Sequence, residues 1–268
     1  MEDGGASRSP RRYAGVDVGS TATKAVLVDE AGTVLGRGLA PTGISGEKAA
    51  RRALEAAGLT DLDAVPVAAT GYGRELVDFA ARRITEITCH ARGAFAQRVA
   101  ELTLIDIGGQ DTKAVAVGPG GSVRRFVMND RCAAGTGRFL EVMARALETD
   151  LERFSALASG AEKASRINSM CTVFAESEVI GLLARGASRA GIARGLVEAV
   201  AERVSGMARK VGLLETVALS GGVALNPAVV VALADALGRR IAVLDDPQYV
   251  GALGAALLCR ERSANRPT

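Results

Sequence analysis

The chain has 268 residues, 48% of them hydrophobic and 3% aromatic, with 33 basic and 30 acidic side chains for a formal net charge of +3. That length and apolar content are enough for one sizeable core or two small ones, which excludes a disordered chain. The near-balanced charge excludes DNA, RNA or an anionic membrane as the default partner, and the absence of Trp excludes a base-stacking platform.

Residues 1–12 are polar and read as a disordered tail, with no apolar run after them that could serve as a signal sequence. Tyr13–Asp17, Lys24–Val28 and Thr33–Gly38 read as three strands with turns at Gly19 and Gly32. A helix is expected over Gly46–Ala57, ended by Gly58, then a buried strand over Val65–Ala69 and a turn at Gly71-Tyr72-Gly73. Helical character is expected from Arg74 to Ala81 and from Cys89 to Ala100. The cycle then restarts. Thr103–Asp106, Thr112–Val117 and Val123–Met128 read as strands, with a hairpin turn at Gly118–Gly121. Helices are expected over Gly137–Leu147, Cys171–Ala184 and Ile192–Val211, then a strand over Val217–Ser220. A proline-started helix over Pro227–Leu237, a short strand over Ile241–Leu244 and a helix over Gln248–Arg260 complete the pattern. No stretch reaches about 18 consecutive apolar residues, so no membrane span is expected, and the expected compartment is the cytoplasm. There the four cysteines, Cys89, Cys132, Cys171 and Cys259, do not form a disulfide framework.

One short pattern occurs twice. Asp17-Val18-Gly19-Ser20-Thr21 and Asp106-Ile107-Gly108-Gly109-Gln110-Asp111 each follow an apolar stretch and precede an alternating run. An acidic residue at a strand end followed by a glycine turn suits a metal–nucleotide phosphate. Gly19, Gly108 and Gly109 let backbone N–H groups approach phosphate oxygens, and Asp17 and Asp106 can hold Mg²⁺ directly or through water. Ser20 and Thr21 add hydroxyls, and Lys24 can return a positive charge to the phosphates. Asp106, Gln110 and Asp111 form the candidate catalytic group, with Gln110 and Asp111 suited to orienting an attacking water. A third element, Ser220-Gly221-Gly222-Val223-Ala224-Leu225-Asn226, follows a strand and opens a helix; Gly221, Gly222 and Asn226 are its nucleoside-binding candidates.

The twofold occurrence of three strands followed by helix–strand alternation resembles the actin-like ATPase (ribonuclease H-like) fold, an α/β architecture, over residues 13–260. The resemblance implies two similar lobes with the nucleotide in a cleft between them. Lobe I is expected over residues 13–98 with the returning helix 248–262, and lobe II over residues 99–247.

Cys132 lies in Asn129-Asp130-Arg131-Cys132-Ala133-Ala134-Gly135-Thr136-Gly137, and Cys171 in Asn168-Ser169-Met170-Cys171-Thr172. Both are expected where helices begin, a setting that lowers thiol pKa and favours anionic ligands. A four-iron cluster takes four thiolates; one chain offers two in such a setting, and a twofold dimer would double them. The plainer reading of a lone cysteine is a small buried hydrophobe, which is the reading for Cys259 and Cys89. His90, the only histidine, reads as a satisfied, partly buried imidazole.

These two segments, with Ala69-Thr70-Gly71-Tyr72-Gly73-Arg74 and Asp106–Asp111, resemble the activator component of 2-hydroxyacyl-CoA dehydratases, a family of ATPases that also includes subunits of ATP-dependent benzoyl-CoA reductase. The resemblance implies a homodimer with one [4Fe-4S] cluster at its interface, held by Cys132 and Cys171 of each subunit. It also implies ATP binding and hydrolysis to ADP with Mg²⁺, electron supply by ferredoxin or flavodoxin, and delivery to a dehydratase or reductase component. A benzoyl-CoA reductase subunit shares both cysteine segments and stays open. A sugar or acetate kinase of the same fold would leave both cysteines unexplained, and a chaperone-like or filament module ranks last.

Overall fold

The computed structural model describes residues 11–169 and 171–264; most of the tail expected over residues 1–12 lies outside the described residues. The chain divides into two compact units, one formed by Met1–Cys89 with Gly251–Thr268 and the other by His90–Val250.

The first unit contains β1 (Arg12–Val18), β2 (Ala22–Asp29), β3 (Val34–Pro41), α1 (Gly46–Ala56), β4 (Val67–Thr70) and β5 (Arg82–Arg83). Its sheet runs β3-β2-β1-β4-β5, with β1 antiparallel to β2 and parallel to β4. The central strands are apolar on both faces because both are covered: Ala14, Val16, Ala25, Leu27, Val67 and Ala69 are buried on one face, and Tyr13, Val26, Val28 and Ala68 on the other. Ser45 caps α1 by accepting from the Lys48 amide at 3.3 Å, and Ala49, Ala50, Ala53 and Leu54 recur at helical spacing to meet the sheet.

The division of the chain falls within α2 (Glu86–Arg98). The second unit holds β6 (Leu102–Ile107), β7 (Thr112–Val117), β8 (Val123–Asn129), α3 (Gly137–Ala146), α4 (Leu151–Gly160), α5 (Thr172–Ala184), α6 (Arg189–Val211), β9 (Thr216–Ser220), α7 (Pro227–Leu237) and β10 (Ala242–Val243). Its sheet order, β8-β7-β6-β9-β10, repeats that of the first unit strand for strand. The long α6, capped by Ser188 on the Gly191 amide, buries Ile192, Leu196, Val200, Val204, Met207 and Val211 every third or fourth residue. Each such side chain contributes about 1.5–3 kcal/mol by leaving water. The last helix, α8 (Val250–Ala264), returns to the first unit and lies so close to β1 that a side chain on Gly15 would collide with the backbone of Ala252 and Ala256.

Three expectations change. The stretch 74–81 is not a helix: a single 3₁₀ turn covers Arg74–Leu76, Val77 is extended, and the guanidinium of Arg83 takes the Val77 carbonyl at 2.7 Å. α4 was not expected. Asp150 caps it through the Arg153 amide at 2.7 Å, and Phe154 and Ala158 pack into the core. Finally, Cys132 does not begin a helix; α3 starts at Gly137, with Thr136 as its N-cap. Among the described residues no helix is long and apolar enough to cross a membrane.

Candidate functional site

Each unit builds the same corner from three strands. In the first, Asp17 stands opposite Lys24 on β2 and Thr70 on β4. In the second, Asp106 stands opposite Lys113 on β7 and Ser220 on β9. The residue after each third strand is a left-handed glycine, Gly71 at φ +86° and Gly221 at φ +88°. A side chain on Gly71 would strike the Asp17 carboxylate, and one on Gly221 the Ile107 carbonyl, so only glycine lets these turns cross the Asp-x-Gly strand end.

The chemistry of the two corners differs. Asp17 is 3% exposed, and its Oδ1 has no hydrogen-bond partner among the described residues; nor has Oγ1 of the buried Thr70 beside it in register. A buried carboxylate oxygen without a donor is costly and is normally satisfied by an ion or water. The orphaned oxygen therefore fits a hard cation such as Mg²⁺. The adjoining turn is open, with Ser20 and Thr21 exposed. The Gly19 carbonyl accepts from Thr42 Oγ1 at 2.7 Å, and Lys24 Nζ lies 3.4 Å from where a Gly19 side chain would begin.

Asp106 is saturated instead. Ser220 Oγ donates to its Oδ1 at 2.6 Å, Lys113 Nζ donates to its Oδ2 at 3.2 Å, and His90 Nε2 lies 3.5 Å from Oδ1. Burial alone would raise its pKa, but His90, Lys113 and Ser220 together outweigh burial and hold the carboxyl well below the usual carboxylate range. Lys113 also meets Asp111 Oδ2 at 2.6 Å. Lys113 is not among the candidate residues of the sequence motifs. The available signal was the shared spacing of seven from each aspartate to its lysine, Asp17 to Lys24 and Asp106 to Lys113. His90 is buried and faces Asp106. Of the two water-orienting candidates, Gln110 is exposed on the turn while Asp111 is engaged by Lys113.

The turn 108–111 is held from behind. The Gly108 amide donates to the Asp111 carbonyl at 2.9 Å, and the first amides of α3, Gly137 and Arg138, donate to the Gly108 and Gly109 carbonyls at 2.9 and 2.7 Å. Cys132 lies in the segment that leads into α3. That segment forms turns rather than helix because Asn129 Nδ2 draws in the carbonyls of Cys132 and Ala134, and Thr136 Oγ1 takes that of Ala133. Cys171 is the N-cap residue of α5, its carbonyl accepting from the Ala175 amide at 2.8 Å. Glu178, one turn further into α5, accepts from the amides of Asn168 and Ser169 at 2.9 Å each. Partial burial opposes its ionisation, but these donors outweigh it and hold its carboxyl below the ordinary value.

Cys171 is exposed and Cys132 half-buried, whereas Cys89 and Cys259 are buried. Burial pushes the Cys89 thiol up to about 12 and that of Cys259 up to about 11, so neither is a ready thiolate. The two free cysteines with solvent access are therefore those of the cluster reading. Asn226 caps α7, its Oδ1 accepting from Ser155 Oγ at 2.8 Å and from the Val229 amide at 3.3 Å; Gly222 before it is exposed.

Residues 14–259 match the model of the BadF/BadG/BcrA/BcrD ATPase family. The chain belongs to this family. Within the ATPase family, it is 45% identical over 255 residues to an activator of lactoyl-CoA dehydratase from Anaerotignum propionicum, covering 94% of this chain and 98% of that one. The crystal structure of the Acidaminococcus fermentans (R)-2-hydroxyglutaryl-CoA dehydratase component A superposes with a TM-score of 0.89 at 40% identity, covering 95% and 100% of the two chains. The Clostridium difficile activator of 2-hydroxyisocaproyl-CoA dehydratase, solved with bound ADPNP, gives a TM-score of 0.87 at 39% identity over 94% and 96%. A ROK family glucokinase from Streptomyces griseus, at 17% identity and a TM-score of 0.56 over 93% and 99%, shares the fold alone. The paired five-stranded sheets of this ATPase are thus those of the actin-like fold.

Proposed function

We propose that this ATPase is an activator of a 2-hydroxyacyl-CoA dehydratase, acting as a homodimer that couples ATP hydrolysis to delivery of a low-potential electron. The observation that carries this reading is the pairing, in one unit, of the phosphate-type corner at Asp106 with the two accessible thiols, Cys132 and Cys171. A kinase reading gives those thiols no task. The 45% identity to a lactoyl-CoA dehydratase activator supports the activator over a benzoyl-CoA reductase subunit.

In this reading Asp17, with its unpartnered oxygen, holds Mg²⁺, which neutralises phosphate charge. Asp106 has both oxygens engaged and serves through water. Gly19, Ser20, Thr21 and Lys24 are the phosphate-binding candidates of the first unit, and Gly108 and Gly109 those of the second. Gly221 and Gly222 offer a surface without side chains to the nucleoside, and Asn226 holds the following helix in place. Gln110, exposed on its turn, orients the attacking water. Cys132 and Cys171 of two copies supply the four thiolates of a [4Fe-4S] cluster, which when bound supplies one-electron chemistry. A ferredoxin or flavodoxin is the electron donor, and the acyl-CoA is bound by the partner enzyme. The hydrogen bonds from Gly137 and Arg138 to Gly108 and Gly109 connect the phosphate turn to the Cys132 segment.

The test is to purify the protein without oxygen and measure iron, sulfide and molecular mass. About four irons per dimer, lost in Cys132→Ser and in Cys171→Ser, is the expected result. A monomer, or a dimer that takes up no iron on anaerobic reconstitution yet hydrolyses ATP fully, would overturn the proposal.

A further inference from the structure

Thr112 and Asn129 face each other in register across the β7–β8 ladder. Thr112 is buried, and its hydroxyl donates to the Gly135 carbonyl at 2.6 Å. Asn129 Nδ2 donates to the carbonyls of Cys132 at 2.8 Å and Ala134 at 3.2 Å. Three carbonyls of the segment that carries Cys132 therefore end on one cross-strand pair. Thr112 also follows directly on Asp111, whose carboxylate is held by Lys113 and whose carbonyl is held by the Gly108 amide. At its other end, the Cys132 segment runs into Gly137 and Arg138, which are bonded to Gly108 and Gly109. The α3 side of the Cys132 segment is thus fastened to the turn 108–111 twice, through the Thr112 hydroxyl at Gly135 and through the first amides of α3, while its start at Asn129 lies in register with Thr112. A shift of that turn must move the segment or break these bonds, because packed polar networks of this kind have few intermediate arrangements.

We propose that Thr112, seconded by Asn129, is a positioning residue that sets the Cys132 segment according to the state of the turn 108–111. It touches neither nucleotide nor thiol. The proposal rests on the reading of that turn as a phosphate-binding element and specifies how its occupancy reaches the cysteine.

The test reads the iodoacetamide alkylation rate of Cys132 in the full-length protein prepared without iron under reducing conditions, by peptide mass spectrometry, with and without Mg²⁺ and ADPNP. Calorimetry on the same samples reports nucleotide binding. In the wild type the two rates are expected to differ about fivefold or more, the lower range of allosteric coupling. Thr112→Val keeps the β-branched shape and removes the hydroxyl; it is expected to bring the ratio close to one with ADPNP affinity little changed. Thr112→Ser restores the donor and is expected to restore the ratio. A purely structural hydroxyl would instead let Thr112→Val change both rates by the same factor, and an unchanged ratio overturns the proposal. A wild-type ratio of one despite measured binding also overturns it, while leaving the nucleotide reading intact. Absence of ADPNP binding overturns both. Should Thr112→Val fail to fold, Asn129→Leu is judged by the same ratio.

Discussion

Lys113 reaches across the β6–β7 ladder to place its ammonium 3.2 Å from the carboxylate of Asp106, and both side chains are almost wholly sealed from solvent. The matching lysine of the other unit, Lys24, is half-buried, and its aspartate keeps an oxygen without a donor among the described residues. One strand corner, used twice, is an internally neutralised post in one unit and a buried carboxylate with an unpartnered oxygen in the other.

Removing Lys113 should therefore be expensive. Lys113→Met removes the ammonium that Asp106 and Asp111 share. Loss of one partner from a buried ion pair costs about 3–5 kcal/mol, and a drop of that size in urea unfolding is expected. Lys24→Met, on the half-buried lysine, should cost far less stability and should show its effect in nucleotide affinity.

The depressed pKa of Asp106 fixes a pH dependence. A carboxyl whose pKa is lower folded than unfolded contributes stability that is fully present above the unfolded value, about 3.9, and lost as pH falls through the folded one. The urea midpoint should hold steady for this group from neutral pH down to about pH 4–5 and fall below that. Asp106→Asn should lower stability at pH 7 and make the acid limb shallower. A mutant whose acid limb matches the wild type would refute the assignment.

Thiol titration should separate the cysteines by location. In the native chain under reducing preparation and without iron, Cys132 and Cys171 should react with a chromogenic disulfide reagent, while Cys89 and Cys259 should react only after denaturant is added. Labelled peptides identify each site by mass.

Gly221→Ala should destabilise the second unit, because it places a side chain at φ +88° and against the Ile107 carbonyl. Backbone at φ +88° and ψ 173° is nearly restricted to glycine and alone costs about 1–3 kcal/mol for an alanine. Gly222→Ala meets only the flexible end of Gln248, at 3.3 Å, and should melt like the wild type. Equal melting temperatures for the two variants would count against the role given to Gly221.

The strands that form the corners are legible in the amino-acid order, because β1 and β6 are buried on both faces and end in the same Asp-x-Gly turn. The two accessible thiols are legible too, because their small-residue surroundings differ from the apolar helix around Cys259. Other features depend on contacts distant in the chain. Leu76, Val77 and Ala80 carry a helix-like spacing, yet the Arg83 guanidinium takes the carbonyl that a helix would have used. Lys113 sits in an alternating strand pattern where a lysine normally faces water, and only Asp106 and Asp111 on neighbouring segments make its burial tolerable. The place of Cys132 ahead of its helix depends on Asn129, which diverts the carbonyls of Cys132 and Ala134 into turns.

The close seat of α8 against Gly15 has a consequence for synthesis. β1 leaves the ribosome before the second unit, and the helix that covers it leaves after that unit. The second unit is contiguous in sequence and can condense while translation continues. The amino-terminal sheet must wait with one face bare until residues beyond 250 emerge, so the unit that is made first is the one that matures last.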